Sequence, residues 1–155
     1  MNKGKKIISL KIKFLLLTII LIGVHSIISA QENIDENNLV GFGCFFEGAQ
    51  SKSVEKVSRL LYQSKYKSII KLLNSKNVAE KYLSVIVCEK LQESGKINLI
   101  KEDSIKIQQA YNSKDTISVC SGCTYFDKIT LKDLLNKNNP ITSESDFWLA
   151  KNLKN

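Results

Sequence analysis

The residues of this chain best suited to chemistry are its four cysteines, Cys44, Cys88, Cys120 and Cys123. The last two form Cys120-Ser121-Gly122-Cys123, a C-x-x-C, and three uses compete for it. In a redox dithiol, one thiolate of lowered pKa attacks a partner disulfide and the second thiol resolves the mixed disulfide. In a zinc site, the pair supplies half of a tetrahedron. The other half would have to come from Cys44 and Cys88, singletons 44 residues apart. In a structural role, the cysteines staple or fill the core, which is the usual fate of an even number in an exported chain. Four cysteines allow three connectivities, and the sequence does not choose among them. Only 32 residues follow Cys123 and they look helical, with no strand signal after Pro140, so a thioredoxin-like sheet is poorly supported. Structural use of all four is favoured; the Cys120/Cys123 dithiol is the alternative. No metal site is assigned.

Histidine is the strongest constraint by its scarcity. The single histidine, His25, lies in the N-terminal segment. Without it there is no Ser-His-acid or Cys-His nucleophile, no H-E-x-x-H zinc site and no imidazole base. Carboxylate pairs survive as candidates, but Glu80, Glu89, Glu102 and Asp103 all have simpler uses as caps or solvated faces. The glycines invite a nucleotide reading that fails on inspection. Gly41-Phe42-Gly43 begins like G-x-G-x-x-G, yet Phe46 stands where the third glycine belongs. Gly43 and Gly48 have phosphate-loop spacing, but Ala49-Gln50 replace the Lys-Ser/Thr pair that would reach the phosphates. No cofactor is expected.

Targeting and charge come next. Lys3, Lys5, Lys6, Lys11 and Lys13 precede an apolar run, Phe14 to Val24, which ends in small residues ahead of Gln31. This is the three-part pattern of a signal peptide, with cleavage expected after Ala30; the competing reading is a retained membrane anchor. The chain of 155 residues carries 23 basic against 15 acidic side chains, but without its first 30 residues the balance is 18 against 15. The one arginine is Arg59, and the lysines are interleaved with acids, so nucleic-acid binding is not expected. An exported protein, periplasmic or secreted, is the reading, with any membrane contact confined to an uncleaved signal.

The elements that position these residues are mostly helical. After residues 1–30, residues 31–38 read as a flexible acidic leader, and 39–155 as a single domain. Leu39 to Gln50 is an extended Gly/Phe-rich segment around Cys44. Apolar residues at three- and four-residue steps predict helices from Lys52 to Gln63 and from Tyr66 to about Asn74. Asn77, with Glu80 three places on, caps a helix running from Val78 to about Ser94 and ending at Gly95. Its centre, Tyr82 to Cys88, is apolar almost all round, as a buried central helix should be. Glu102 or Asp103 is expected to cap the next helix. Asp115 to Tyr125 reads as a strand or loop, Thr130 caps a short helix, and Ser143 with Asp146 caps the last one. Phe147 and Trp148 on that helix are either docked or an exposed anchor.

The fold class expected is mainly α, a small domain of stacked helical hairpins, possibly of HEAT type, with one short extended segment. The function expected is a non-catalytic protein-binding module of inhibitor or immunity type, with another protein as partner. The alternative is a thiol-disulfide redox protein.

Overall fold

The computed structural model describes residues 34–44, 47–122, 124–136 and 139–153. The signal-like segment and its Ala30 junction lie outside the described residues, as does Cys123. The elements in chain order are β1 (Leu39–Val40), α1 (Lys52–Tyr62), α2 (Tyr66–Lys71), α3 (Val78–Glu93), α4 (Lys101–Tyr111), β2 (Thr116–Ser121), β3 (Tyr125–Thr130), α5 (Leu131–Leu135) and α6 (Pro140–Asn152). The chain is mainly α-helical, as its periodicity implies.

Helix α3 organises the domain. Asn77 Oδ1 accepts from the Glu80 backbone N–H at 3.0 Å, which satisfies one of the donors a helix start leaves open. At the other end Gly95 takes φ 69°, a left-handed conformation that costs glycine nothing. Its N–H bonds Gln92 O at 3.0 Å and that of Lys96 bonds Leu91 O at 2.9 Å, the two bonds of a Schellman cap. Between these ends Tyr82, Leu83, Val85, Val87, Cys88 and Leu91 are all buried. Helix α3 packs against α1, α2, α4, α5 and β2, which explains why it has no polar face over its middle turns. Helix α1 contributes Val54, Val57 and Leu61 to the same core, one stripe at helical spacing.

The strands are the main departure from the expected architecture. They form a three-stranded sheet in the order β1-β2-β3, with β1 parallel and β3 antiparallel to the central β2. Strand β2 is buried at Ile117, Ser118, Val119 and Cys120 and packs on α3 and α6. Strand β3 is largely exposed, an edge carrying Asp127 and Lys128, and such a strand has no buried face to print a period-two signal in the sequence. Among the described residues, the extended segment expected over Leu39–Gln50 is a strand at Leu39–Val40 and resumes as a bridge at Cys44.

Two helix starts also differ from expectation. No side chain caps α4: its N-cap is Ile100, and Glu102 and Asp103 lie in the first turn, where acids favour the helix dipole. Helix α6 begins at Pro140 and not at Ser143, with Asn139 Oδ1 accepting from the Ile141 N–H at 3.0 Å. Proline fits the first helical position because its missing N–H would have had no partner there. Asn37 and Asn38, read above as the end of a flexible leader, are tied into the fold: Asn38 Nδ2 donates to Thr116 O and its Oδ1 accepts from the Ala79 N–H. Among the described residues no helix is long and apolar enough to cross a membrane.

Candidate functional site: an aromatic groove beside a disulfide

Cys44 and Cys120 form a disulfide with Cα atoms 5.8 Å apart, joining residues 76 positions distant in sequence. Backbone pairing brings them together. After β1, the chain runs on beside β2, and Cys44 bridges Gly122 in parallel while Gly122 N–H donates to Gly43 O at 2.9 Å. The chain then turns back on itself: Cys44 and Ala49 exchange both backbone hydrogen bonds, and Gly48 takes φ 61° in the turn between them. Gly41 has a steric reason to be glycine. A Cβ there would overlap both sulfur atoms. Its role is close approach to the disulfide, and not the phosphate contact that the Gly41-Phe42-Gly43 spacing first suggests.

This pairing answers the connectivity question for three of the four cysteines. Cys120 is joined to Cys44, so the described sulfurs do not form the four-thiolate set that a zinc site would require. Cys88 is a free thiol on α3, fully buried, with Ser84 Oγ 3.8 Å away. Burial pushes its pKa up to about 11, and the nearby Asp103 and Glu89 charges add to the effect. A thiol held protonated in this way is a core residue and not a nucleophile.

Packed against the disulfide corner is a groove of about 380 Å³ between the Phe42–Gly43 backbone and the outer side of α6. Phe42 and Trp148 form its wall, with ring centroids 5.3 Å apart and planes tilted by 42°. Trp148 is the chain's only tryptophan and is 3% exposed, its Nε1 donating to Ser58 Oγ at 2.9 Å. Phe147, its neighbour, is 74% exposed and stands at the groove's lip. The choice between docked and exposed aromatics is therefore split: Trp148 is docked and Phe147 is presented. At the groove's base, Ser121 Oγ donates to Glu144 Oε1, while Glu144 Oε2 is buried with no hydrogen-bond partner. Glu144 is not among the residues that the sequence singles out. Its one signal is a place in the stretch Ser143-Glu144-Ser145-Asp146, which reads as a helix start.

A second cleft of similar volume lies between α3, α4, α5 and α6, with Tyr82, Tyr111, Glu89 and Asp146 on its walls. Tyr111 Oη donates to Glu89 Oε2 at 3.0 Å. Burial holds both tyrosine pKa values up, to about 12 each, with Glu89 adding to the effect at Tyr111. Neither is a phenolate base at neutral pH.

The four candidate carboxylates are not gathered into an acid-base pair. Glu80 accepts from Ser75 Oγ at 2.8 Å and pairs with Lys56 at 2.5 Å. Asp103 pairs with Lys106 on its own helix at 3.4 Å, Glu89 binds Tyr111, and Glu102 is exposed. No group of three or more His, Cys, Asp or Glu placed to hold a metal occurs among the described residues. No family model, curated protein or solved structure matches the chain.

Proposed function

We propose that this chain is an exported, non-catalytic protein-binding module whose contact surface is the aromatic groove on α6. The observation that carries the reading is Phe147: a phenylalanine 74% exposed, set on a rigid helix beside a buried tryptophan and a disulfide. Aromatic side chains held by well-packed neighbours are the kind of residue that dominates binding energy at protein interfaces. Export is supported by the lysine-rich, then apolar, then small-residue pattern at the N-terminus, and a buried disulfide suits an oxidising compartment. The reading does not require the stacked hairpins of HEAT type expected from the sequence. Contacts of α1 with α2 and of α3 with α4 support helical pairing, and the groove lies on α6, outside both pairs.

The test is a photo-crosslinking phenylalanine analogue placed at position 147 in the protein as its own cell produces it. A matching control is placed at Tyr62, which is 87% exposed on α1. A discrete adduct from position 147 and none from position 62 is expected. No adduct at 147, or the same adducts from both positions, would remove the groove as the contact surface. The redox alternative, through Cys120 and Cys123, is separated by Cys123→Ser. A binding module keeps its adduct, whereas a dithiol protein loses its activity. The pairing of Cys120 with Cys44 supports the binding reading, because it occupies one of the two sulfurs that a dithiol would need.

A further inference from the structure

We infer that the aromatic groove is assembled by oxidation: its wall closes when Cys44 and Cys120 are joined and withdraws when they are separate thiols. The consequence for binding rests on the groove being the contact surface; the change of shape does not. The two sides of the groove are held by different means. Phe147, Trp148 and Lys151 stand on α6, which its buried stripe and the bond from Trp148 to Ser58 fix to the core. Phe42, Gly43 and Gln50 belong instead to the chain around Cys44. At the neck of that chain Ser51 N–H donates to Gly41 O at 2.9 Å, and Cys44 and Ala49 bond each other, so residues 41–44 and 47–50 close on themselves as a unit. Among the described residues the unit is tied to β2 by the bond from Gly122 N–H to Gly43 O and by the disulfide, and to α1 by Ser58 Oγ donating to Gln50 Oε1 at 3.2 Å.

The disulfide decides whether this unit can seat. Both cysteines are fully buried, and the Gly41 backbone lies against both sulfurs. Two separate thiols need van der Waals distance between them, and a close-packed corner has no spare volume to give. Cys120 cannot yield it, because β2 is paired with β3 and packed on α3 and α6. Cys44 yields instead, on a unit whose residues 47–50 are exposed, and Phe42, Gly43 and Gln50 move with it. Phe42 then leaves the Trp148 ring, and Gln50 leaves Ser58. The closing step is an exchange with a disulfide-bearing oxidant. One cysteine thiolate attacks the oxidant's disulfide and expels a thiolate, and the second attacks the mixed disulfide and expels the other. Two protons and two electrons leave the chain, and the oxidant departs as a dithiol. Oxidant and reductant both meet these sulfurs in the open form, because the closed form buries them. In a reducing compartment the chain therefore holds its helical core without the contact surface.

The experiment follows the fluorescence of Trp148, the single tryptophan, in protein carrying Cys123→Ser so that exchange is confined to the pair. The protein is reduced with dithiothreitol, its free thiols are counted by alkylation and mass, and it is reoxidised with oxidised glutathione. Reduction is expected to raise acrylamide quenching of Trp148 at least about twofold while the helical circular dichroism holds to within about a tenth, and reoxidation to reverse the change. Phe42→Ala should give the oxidised protein the quenching of the reduced parent, with little added on reduction. Cys44→Ser, which keeps an atom in the sulfur's place but cannot bond, should lower the adduct yield at position 147 about tenfold, as the competent fraction falls. Unchanged quenching in fully reduced protein overturns the inference. Loss of the helical signal together with the quenching change also overturns it, because the bond would then hold the whole domain. If quenching rises but the oxidised protein gives no adduct at 147, assembly by oxidation stands and the contact-surface reading falls. If Cys44→Ser and the parent give equal adducts, the contact surface stands and the inference falls.

Discussion

The helical half built on α3 and the corner where β1, β2 and α6 meet both bury side chains, yet they are ordered by different means. Helix α3 is specified by neighbours in sequence. Its cap spans three residues from Asn77 to Glu80, and its stop is the Gly95 Schellman turn. The corner is specified by residues far apart: Cys44 with Cys120 across 76 positions, Trp148 with Ser58 across 90, and Ser121 with Glu144 across 23. Local order is cheap in loop entropy; distant order must be stapled or packed into place. The groove lies in the stapled region, where a rigid aromatic lip can be held without a helical core beneath every residue.

The largest effect that would sharpen this contrast is removal of the staple. Replacing Cys44 and Cys120 together by alanine should lower unfolding free energy by about 4.5 kcal/mol, the chain-entropy value for a loop of this length. Chemical denaturation of the paired variant against the parent measures it. A loss below about 1 kcal/mol would mean the corner holds itself. Gly41→Ala sharpens the test further. It should be strongly destabilising in the parent, where the sulfurs fill the space its Cβ needs, and much milder in the double-alanine background. Equal cost in both backgrounds would sever Gly41 from the disulfide.

The helical half has its own signature, in pH. Cys88 is raised to about 11 by burial, above its ordinary value of 9.0, so the unfolded chain releases this proton first. Stability is therefore fully present below pH 9 and is lost as pH rises toward 11, by roughly 2 to 3 kcal/mol at most. Tyr82, raised to about 12, extends the loss to still higher pH. Cys88→Ala should flatten the fall between pH 9 and 10, measured by denaturant midpoints. An unchanged slope would place its origin elsewhere. A smaller effect reads the end of α3. Gly95→Val should cost about 1 kcal/mol more than Gly95→Asn, since a β-branched residue resists positive φ and nothing else lies near that position. Equal melting temperatures would count against the left-handed cap.

The same division decides how much was legible in the sequence. The bounds of α1 and α3 and the starts of α2 and α5 are legible because caps and stripes are local, whereas α2 ends at Lys71 and the apolar pattern runs on to Asn74 through a 3-10 turn. Strand β3 could not, because Tyr125–Thr130 is an exposed edge with no buried face. Nor could the disulfide, since three connectivities fit the same four positions. The start of α6 differs because Ser143 with Asp146 has the spacing of a cap, whereas Asn139 caps the helix that Pro140 opens. The difference bears on the groove. With the start at Pro140, Ile141 falls on the helix, and Ile141, Ser145, Trp148 and Leu149 make one buried stripe at i, i+4, i+7 and i+8. That stripe selects Trp148 for the core and turns Phe147 outward. With the start at Ser143, Ile141 drops out and the two aromatics cannot be told apart.

The smallest expected effect bears most directly on function. Phe147→Ala should change stability by less than about 0.5 kcal/mol, because the ring is exposed and the helix favours alanine. Trp148→Ala, one position on, would open a cavity and break the bond to Ser58, so its loss of binding could never be separated from loss of structure. Phe147 therefore offers a clean separation of the two: melting temperature held, capture of the partner lost. A melting temperature lowered by several degrees would make Phe147 a packing residue after all. The contrast would then collapse, with the stapled corner serving the fold in the same way as α3.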